Sequence, residues 1–271
     1  MSGGLLDVLV PTRDRPAALA VTPAGLAAQT VPGVRVVISD QSRTPVEDDP
    51  LAATAVRIAR RRGHRVEVLR HVPPRGSAGQ RQFLLERAER RFALYLDDDV
   101  WLEPAAAEIL LSAIGELGCG FVGFAVQGLS YLADVRPHEL SPYEEWTGGV
   151  LPERVRRGSP AWQRYTLHNA ADPAHLAERA RGGGRPWWPY KVAWVGGCVL
   201  YDRQRLVERG GFGFWRSVPR RHAGEDVVAQ LRVMEEYGGT GLLPSMAYHL
   251  ELPTTVADRS AECYDYVMES R

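Results

Sequence analysis

Three consecutive carboxylates, Asp97, Asp98 and Asp99, close a short apolar run over residues 92–96. Acids this close repel one another unless solvent or a hard divalent cation takes up the charge. Alternation along an extended chain sends Asp97 and Asp99 to one side and Asp98 to the other, so one acid could serve a metal and another a bound ligand. A solvated acidic turn is the competing reading. A second acidic pair, Glu225 and Asp226, stands at the start of a helical pattern, and His249 lies in a strand-like piece. Taken singly, the pair reads as acids favoured by a helix dipole and the histidine as structural. Around residues 75–81, Ser77 and Gln80 have the spacing of a capping box. A helix starting there would turn backbone N–H groups near Gly76 and Gly79, together with Arg81, towards an anion. An ordinary capped surface helix fits the same residues.

The elements that must position these groups alternate. Residues 5–10 read as a strand stopped by Pro11, and 17–29 as a helix that Pro23 must break or restart. A second strand over 34–39 ends at Asp40, and strand–helix–strand in so short a span forces a parallel pair. A helix over 52–62 and a strand over 66–69 follow, then the buried strand 92–96 that delivers the three aspartates. Acids at such strand ends sit where open α/β sheets bind ligands. After Pro104 a helical stripe (Ile109, Leu110, Ala113, Ile114, Leu117) runs to Gly118 and Gly120, with a strand over 121–126. From 127 to 190 periodicity fails. That stretch carries Tyr131, Tyr143, Trp146, Trp162, Tyr165, Trp187 and Trp188, with a glycine run at 182–184 before the Trp pair. A long irregular segment inside a domain is usually functional or mobile, and its aromatics suit stacking on a sugar or lipid as well as covering the core. Beyond it, 192–201 reads as a strand with Gly196 and Gly197 at its middle, a sign of close backbone approach to a ligand. Helices over 202–209 and 224–238 flank a loop, a strand over 242–250 holds His249, and the tail from 254 says little. The fold class is α/β, a mostly parallel, Rossmann-like sheet flanked by helices.

A chain of 271 residues suits one large α/β domain or two small ones, and an apolar fraction of 45% is ordinary for a folded protein. With 33 basic and 33 acidic residues the net charge is zero, which argues against a general nucleic-acid binder. Cys119, Cys198 and Cys263 are far apart and odd in number, without a paired metal spacing, as fits a reduced, cytoplasmic setting. The first residues lack the pattern of a signal peptide, and no apolar run reaches membrane-spanning length. Peripheral attachment at the inner face of a membrane stays open.

The strand-end groups Thr12, Asp40, Arg81 and Asp97 to Asp99 would offer a nucleoside diphosphate a base-reading acid, an anion site and metal ligands. Glu225, Asp226 and His249 lie in the other half. This division suits metal-dependent transfer from a nucleotide-linked donor to a hydroxyl. The sequence resembles family 2 glycosyltransferases with the GT-A fold over residues 5–250. The resemblance rests on Val10-Pro-Thr-Arg-Asp-Arg-Pro16, Val37-Ile-Ser-Asp-Gln-Ser42, Gly79-Gln-Arg81, Leu96-Asp-Asp-Asp99, Gly196-Gly197, Gly224-Glu-Asp226 and His249, in that order. It departs from the family at Pro23 and at Gln41. It implies a single GT-A domain, with a donor half over 1–125 and an acceptor half over 126–271. Pro11, Thr12, Arg13, Asp40, Gly79, Arg81, Asp97 and Asp98 would serve the donor, with Thr12 and Asp40 on the nucleobase. Asp99 and His249 would hold Mn2+ or Mg2+. Asp226 would be the general base and Glu225 would orient the acceptor. The implied activity is inverting transfer from a nucleotide sugar, UDP favoured, to a saccharide, a lipid-linked glycan or a natural product, as in polysaccharide biosynthesis.

Four rivals are weaker. A haloacid dehalogenase type phosphatase would use Asp97 as nucleophile and the sole lysine, Lys191, as phosphate ligand, but about 90 residues precede its motif, which belongs on a first strand. A nucleotidyltransferase would want a glycine-rich loop where residues 12–16 have no glycine. A silent sugar-binding protein on the same fold has no reason to retain the acids. A dehydrogenase would need Gly-x-Gly-x-x-Gly after the first strand.

Overall fold

The computed structural model describes residues 3–179, 185–256 and 258–269; the glycine run at 182–184 lies outside them. The chain alternates through β1 (Leu6–Thr12), α1 (Pro16–Ala27), β2 (Arg35–Asp40), α2 (Pro50–Arg61), β3 (Arg65–Arg70), α3 (Gly76–Leu85) and β4 (Phe92–Leu96). Strand–helix–strand connections leave these strands parallel, in the order β3-β2-β1-β4. Because both faces of a parallel sheet are covered, β4 is apolar throughout and β1 is apolar apart from Asp7 and Thr12. Val8, Val10, Leu94 and Leu96 enter the core on one face, and Leu9, Ala93 and Tyr95 the core on the other.

Neither proline acts as expected. β1 runs through Pro11 to Thr12, because β4 pairs only with residues 6–9 and leaves no ladder partner on that side of Pro11. Helix α1 continues through Pro23. Only one helical hydrogen bond is lost there, and Leu19 and Leu26, buried on either side of it, hold the helix to the core.

The rest of the chain forms β5 (Val100–Leu102), α4 (Ala106–Leu117), β6 (Phe121–Gly123), α5 (Asp172–Arg179), β7 (Trp188–Tyr190), β8 (Cys198–Asp202), α6 (Arg203–Glu208), α7 (Glu225–Tyr237), β9 (Gly239–Leu243), β10 (Ala247–His249) and α8 (Cys263–Val267). The main sheet has the order β3-β2-β1-β4-β8-β6-β9-β7, and β8 lies antiparallel between β4 and β6. One sheet therefore crosses residue 125 without a seam. No described helix is long and apolar enough to cross a membrane.

The second half departs from the expectations in three places. The segment 127–190 holds 3-10 turns at Leu129–Tyr131 and Pro160–His168, helix α5 and strand β7, all too short to give a periodic signal. The strand expected over 192–201 begins only at Cys198, so the glycine pair precedes it. Gly197 has φ +77°, and a Cβ there would lie 2.7 Å from Val126. Residues 242–250 split at Pro244 into β9 and β10, and β10 leaves the main sheet to pair antiparallel with β5.

Candidate active site

The aspartates leave β4 in a turn, with Val100 N–H donating to Asp97 O at 3.3 Å. A turn abolishes the alternation expected of an extended chain. Asp98 and Asp99 share one side, where Arg15 reaches both: Nη1 is 3.0 Å from Asp98 Oδ1 and Nη2 2.6 Å from Asp99 Oδ2. Asp97 turns the other way, 2.8 Å from Arg81 Nη2. Thr12 Oγ1 donates to Asp98 Oδ2 at 2.7 Å, which places Thr12 on the turn rather than leaving its hydroxyl free. Burial pushes the Asp98 carboxyl up to about 7, with the Thr12 hydrogen bond and Arg15 pulling against it. At Asp99 burial is outweighed by the His249 hydrogen bond and Arg15, so its pKa falls below the usual carboxylate value. Sequence reasoning missed Arg15. Its only signal was a place in the polar loop after β1.

The β5–β10 ribbon sets His249 opposite Val100 and brings its Nε2 to 3.1 Å from Asp99 Oδ2. Glu251 N–H donates to His249 Nδ1 at 2.8 Å. A neutral imidazole has one acceptor nitrogen, so with Nδ1 accepting, Nε2 carries the proton and donates to Asp99. A carboxylate and an imidazole this close fit a cation such as Mn2+, and no described cluster offers three such side chains. The pair can therefore supply two ligands at most. Holding a metal requires Arg15 to leave Asp99. It also requires the His249 proton to move to Nδ1, which gives up the Glu251 contact.

The start of α7 meets the start of α3. Arg81, 8% exposed, joins Asp97 to Glu225, its Nε being 3.0 Å from Glu225 Oε1. Burial opposes the guanidinium charge, yet Asp97 and Glu225 outweigh it and raise its pKa above the ordinary value. Arg81 in turn holds Glu225 below the usual carboxylate range in spite of burial. Asp226 has no such partner. Burial and then repulsion from Glu225 push it up to about 6. Glu225 is thus committed to Arg81, and Arg81 to two carboxylates within the protein, rather than facing a ligand alone.

The capping box does not form. The N-cap residue of α3, Arg75, makes no side-chain cap. Gln80 Nε2 instead donates to Thr12 O at 3.0 Å and Ser39 O at 2.7 Å, bracing the ends of β1 and β2. The cap comes from outside: His222 Nδ1 lies 2.6 Å from Pro219 O, and its Nε2 accepts from Ala78 N–H at 3.0 Å. Gly76 fits because its φ is +79° and a Cβ would lie 2.5 Å from Arg220 O.

A cleft of about 1010 Å3 joins these groups. Its walls include Pro11, Thr12, Arg13, Arg15, Arg81, all three aspartates, Glu225, Asp226 and His249. Two expected donor residues are not on it. Asp40 is fully buried behind β2, where it accepts from Ser42 N–H (2.8 Å), Val46 N–H (3.0 Å) and Arg70 (2.5 Å). Its lone pairs shape the loop after β2, which corrects the expectation that it reads a nucleobase. Gly79 likewise faces Arg75 and Trp215, with room for no Cβ: one would lie 2.9 Å from the Arg75 side chain. The cleft also recruits residues of the tail, among them Leu252, Thr255, Arg259 and Asp265, where no sequence pattern pointed to a site.

The sequence profile described as Glycosyl transferase family 2 matches residues 7–176, more than half of the chain. No curated protein sequence matches. Among solved structures, S. aureus TarS 1–349 in complex with UDP-GlcNAc is similar with a TM-score of 0.58 and 15% identity, over 93% of this chain and 60% of that one. The mannosyltransferase PcManGT from Pyrobaculum calidifontis, in complex with GDP-Man and Mn2+, has a TM-score of 0.56 and 15% identity, over 93% and 58%. A structure of TarS is covered to only 36% at a TM-score of 0.55 and 16% identity. The chain thus spans between about a third and three fifths of these proteins, and identities so low speak for the fold alone. Sheet order, strand-end aspartates and the matched profile agree: this chain belongs to glycosyl transferase family 2 and has the GT-A fold.

Proposed function

We propose that the cleft transfers a glycosyl group from a nucleoside-diphosphate sugar to an acceptor hydroxyl by inverting, metal-dependent displacement. The observation that carries this reading is the meeting of the aspartate turn with the start of α7, where one buried arginine, Arg81, binds Asp97 and Glu225 and so sets Asp226 beside the turn. Asp226 lies on the cleft with its pKa raised to about 6 by burial and Glu225, so at neutral pH it is ionised yet more basic than an ordinary carboxylate. That suits a general base. The acceptor oxygen attacks the anomeric carbon, its proton passes to Asp226, and the bond to the diphosphate breaks with the electron pair leaving on oxygen. Asp99 and His249 would hold the divalent cation, which neutralises charge gathering on the leaving diphosphate. Arg15, Arg13 and the backbone near Thr12 would serve the diphosphate and nucleoside. Glu225 acts through Arg81, and its charge keeps Asp226 basic. The phosphatase alternative loses support: Asp97 ends the fourth strand in the chain, and Lys191 pairs with Glu144 away from the cleft.

The test is a melting-temperature panel of UDP, GDP, dTDP and CDP, each with Mn2+, Mg2+ or EDTA. A ligand present at ~100 times its dissociation constant stabilises the native state by about 2.7 kcal/mol. One nucleotide, UDP first among them, is expected to raise the melting temperature only with metal, and Asp99→Ala is expected to abolish the rise. A folded protein that responds to none of them would end this reading.

A further inference from the structure

The family profile stops at residue 176, and the groups above account for only one side of the cleft. The opposite side is built from three segments distant in sequence: Trp162 and Tyr165 from a 3-10 turn, Trp194 before β8, and Tyr264 from α8. The rings of Tyr165 and Trp194 are stacked, parallel within 4° with centroids 5.8 Å apart, which leaves an outer ring face free. Trp162 meets Trp194 at 60° and 5.0 Å and meets Tyr264 at 75° and 5.2 Å, bracing the pair edgewise. Trp162 and Trp194 pack on the core with one side and line the cleft with the other, and Tyr165 is 39% exposed.

This wall is held in register with Asp226. Gln230, fully buried, lies four residues further along α7 and so on the same helix face. Its amide makes both backbone bonds to the residue after Trp194: Val195 N–H donates to Oε1 at 2.7 Å, and Nε2 donates to Val195 O at 2.7 Å. The charges beside the wall cancel. Arg157 and Arg259 line the cleft together with Glu262 and Asp265, and Arg157 is tied to Glu262 at 2.7 Å and Asp265 at 2.6 Å. A phosphorylated or sulfated chain would find no net positive charge in this group of two arginines and two carboxylates. Carboxylates that accept hydrogen bonds beside flat apolar rings suit a ligand with hydroxyl edges and C–H faces. The volume, about 1010 Å3, lies at the top of the ~300–1,000 Å3 that holds one small ligand, leaving room for a second molecule beside a donor.

We propose that the Tyr165–Trp194 face, braced by Trp162, is the acceptor subsite and takes a neutral saccharide chain, one pyranose ring stacked on the aromatic pair. The role as acceptor subsite rests on the transfer reading above; the saccharide binding itself does not.

Ligand-observed NMR with maltotriose, cellotriose and triacetylchitotriose tests it. Fully sulfated maltotriose and phosphatidylglycerol vesicles serve as the anionic and lipid comparisons, and the UDP and Mn2+ melting shift is recorded in parallel. At least one neutral trisaccharide is expected to bind saturably, with saturation transfer strongest at ring C–H protons. Trp194→Ala and Tyr165→Ala are each expected to weaken it about tenfold, and Trp194→Phe, which keeps a ring, by much less. The nucleotide shift is expected to survive in all three. The proposal is overturned if no neutral trisaccharide binds the folded protein. It is also overturned if the sulfated sugar or the vesicles bind better, or if the variants lose nucleotide and saccharide binding together. Saccharide binding in a protein that ignores every nucleotide would uphold the subsite while removing the transfer reading.

Discussion

The two rims of the cleft hold their charges in different ways. On the rim proposed for the donor, Arg81 is almost buried, its side chain 10% exposed, and it bridges two carboxylates, Asp97 and Glu225. On the acceptor rim, Arg157 also gathers carboxylates, Glu262, Asp265 and Glu269, but its side chain is 38% exposed and theirs 43–56%. Water screens the whole of the second network, but in the first it reaches only Asp97, 37% exposed, and not the Arg81–Glu225 pair. The donor rim is therefore a fixed electrostatic arrangement, in which removing one charge strands another. The acceptor rim relies on ring contacts and shape, and its ion pairs are dispensable.

The sharpest way to break this contrast is at the junction itself. Asp226→Asn is expected to lower transfer by about 10²–10⁴-fold while leaving the metal-dependent nucleotide shift in place. A variant with normal turnover would move the base elsewhere. Next in size, Arg81→Leu leaves Glu225 buried without its partner and is expected to cost about 3–5 kcal/mol in denaturant unfolding. The matching change on the other rim, Arg157→Leu, is expected to cost about 1 kcal/mol or less. Equal losses would mean that the two networks are equivalent after all. The smallest effect is in pH. A base whose pKa burial and Glu225 raise to about 6 is inactive when protonated. Transfer should therefore fall about tenfold per pH unit below about 6 and level off above it. The acidic limb should move towards the ordinary aspartate value in Glu225→Gln, provided that variant stays folded.

Legibility in the sequence follows the same division. The parallel strands, the helices between them and the aspartate turn are local features, each written in a run of a dozen residues or fewer. Periodicity and strand-end chemistry were enough to mark Asp97 to Asp99, whereas Glu225 and Asp226 read singly as acids at a helix start and only the family resemblance joined them to the aspartates. Contacts made across long separations were not readable. Arg15 lies 84 residues from Asp99, and His222 caps a helix 144 residues away. The three-residue strands that carry His249 to Asp99 are too short for alternation to show. Asp40 illustrates the converse error: an acid at a strand end looked like a ligand group, yet the next six residues turn back and use both its oxygens. The tail had no pattern at all, because its place on the cleft depends on Ala223, whose N–H and C=O pair with Ala261 and Cys263.

The His222 contact has a mechanical consequence. It fastens the loop before α7 to the first turn of α3, while Arg81 rivets the same two helices from inside. Nothing can pivot at that joint without breaking both. Residues 251–255, by contrast, are exposed, though Glu251 accepts from Ser130, and the tail returns to this joint where Ala261 and Cys263 meet Ala223. The junction of α3 and α7 is therefore the rigid frame of the cleft, locked from inside by an ion pair and from outside by a histidine cap.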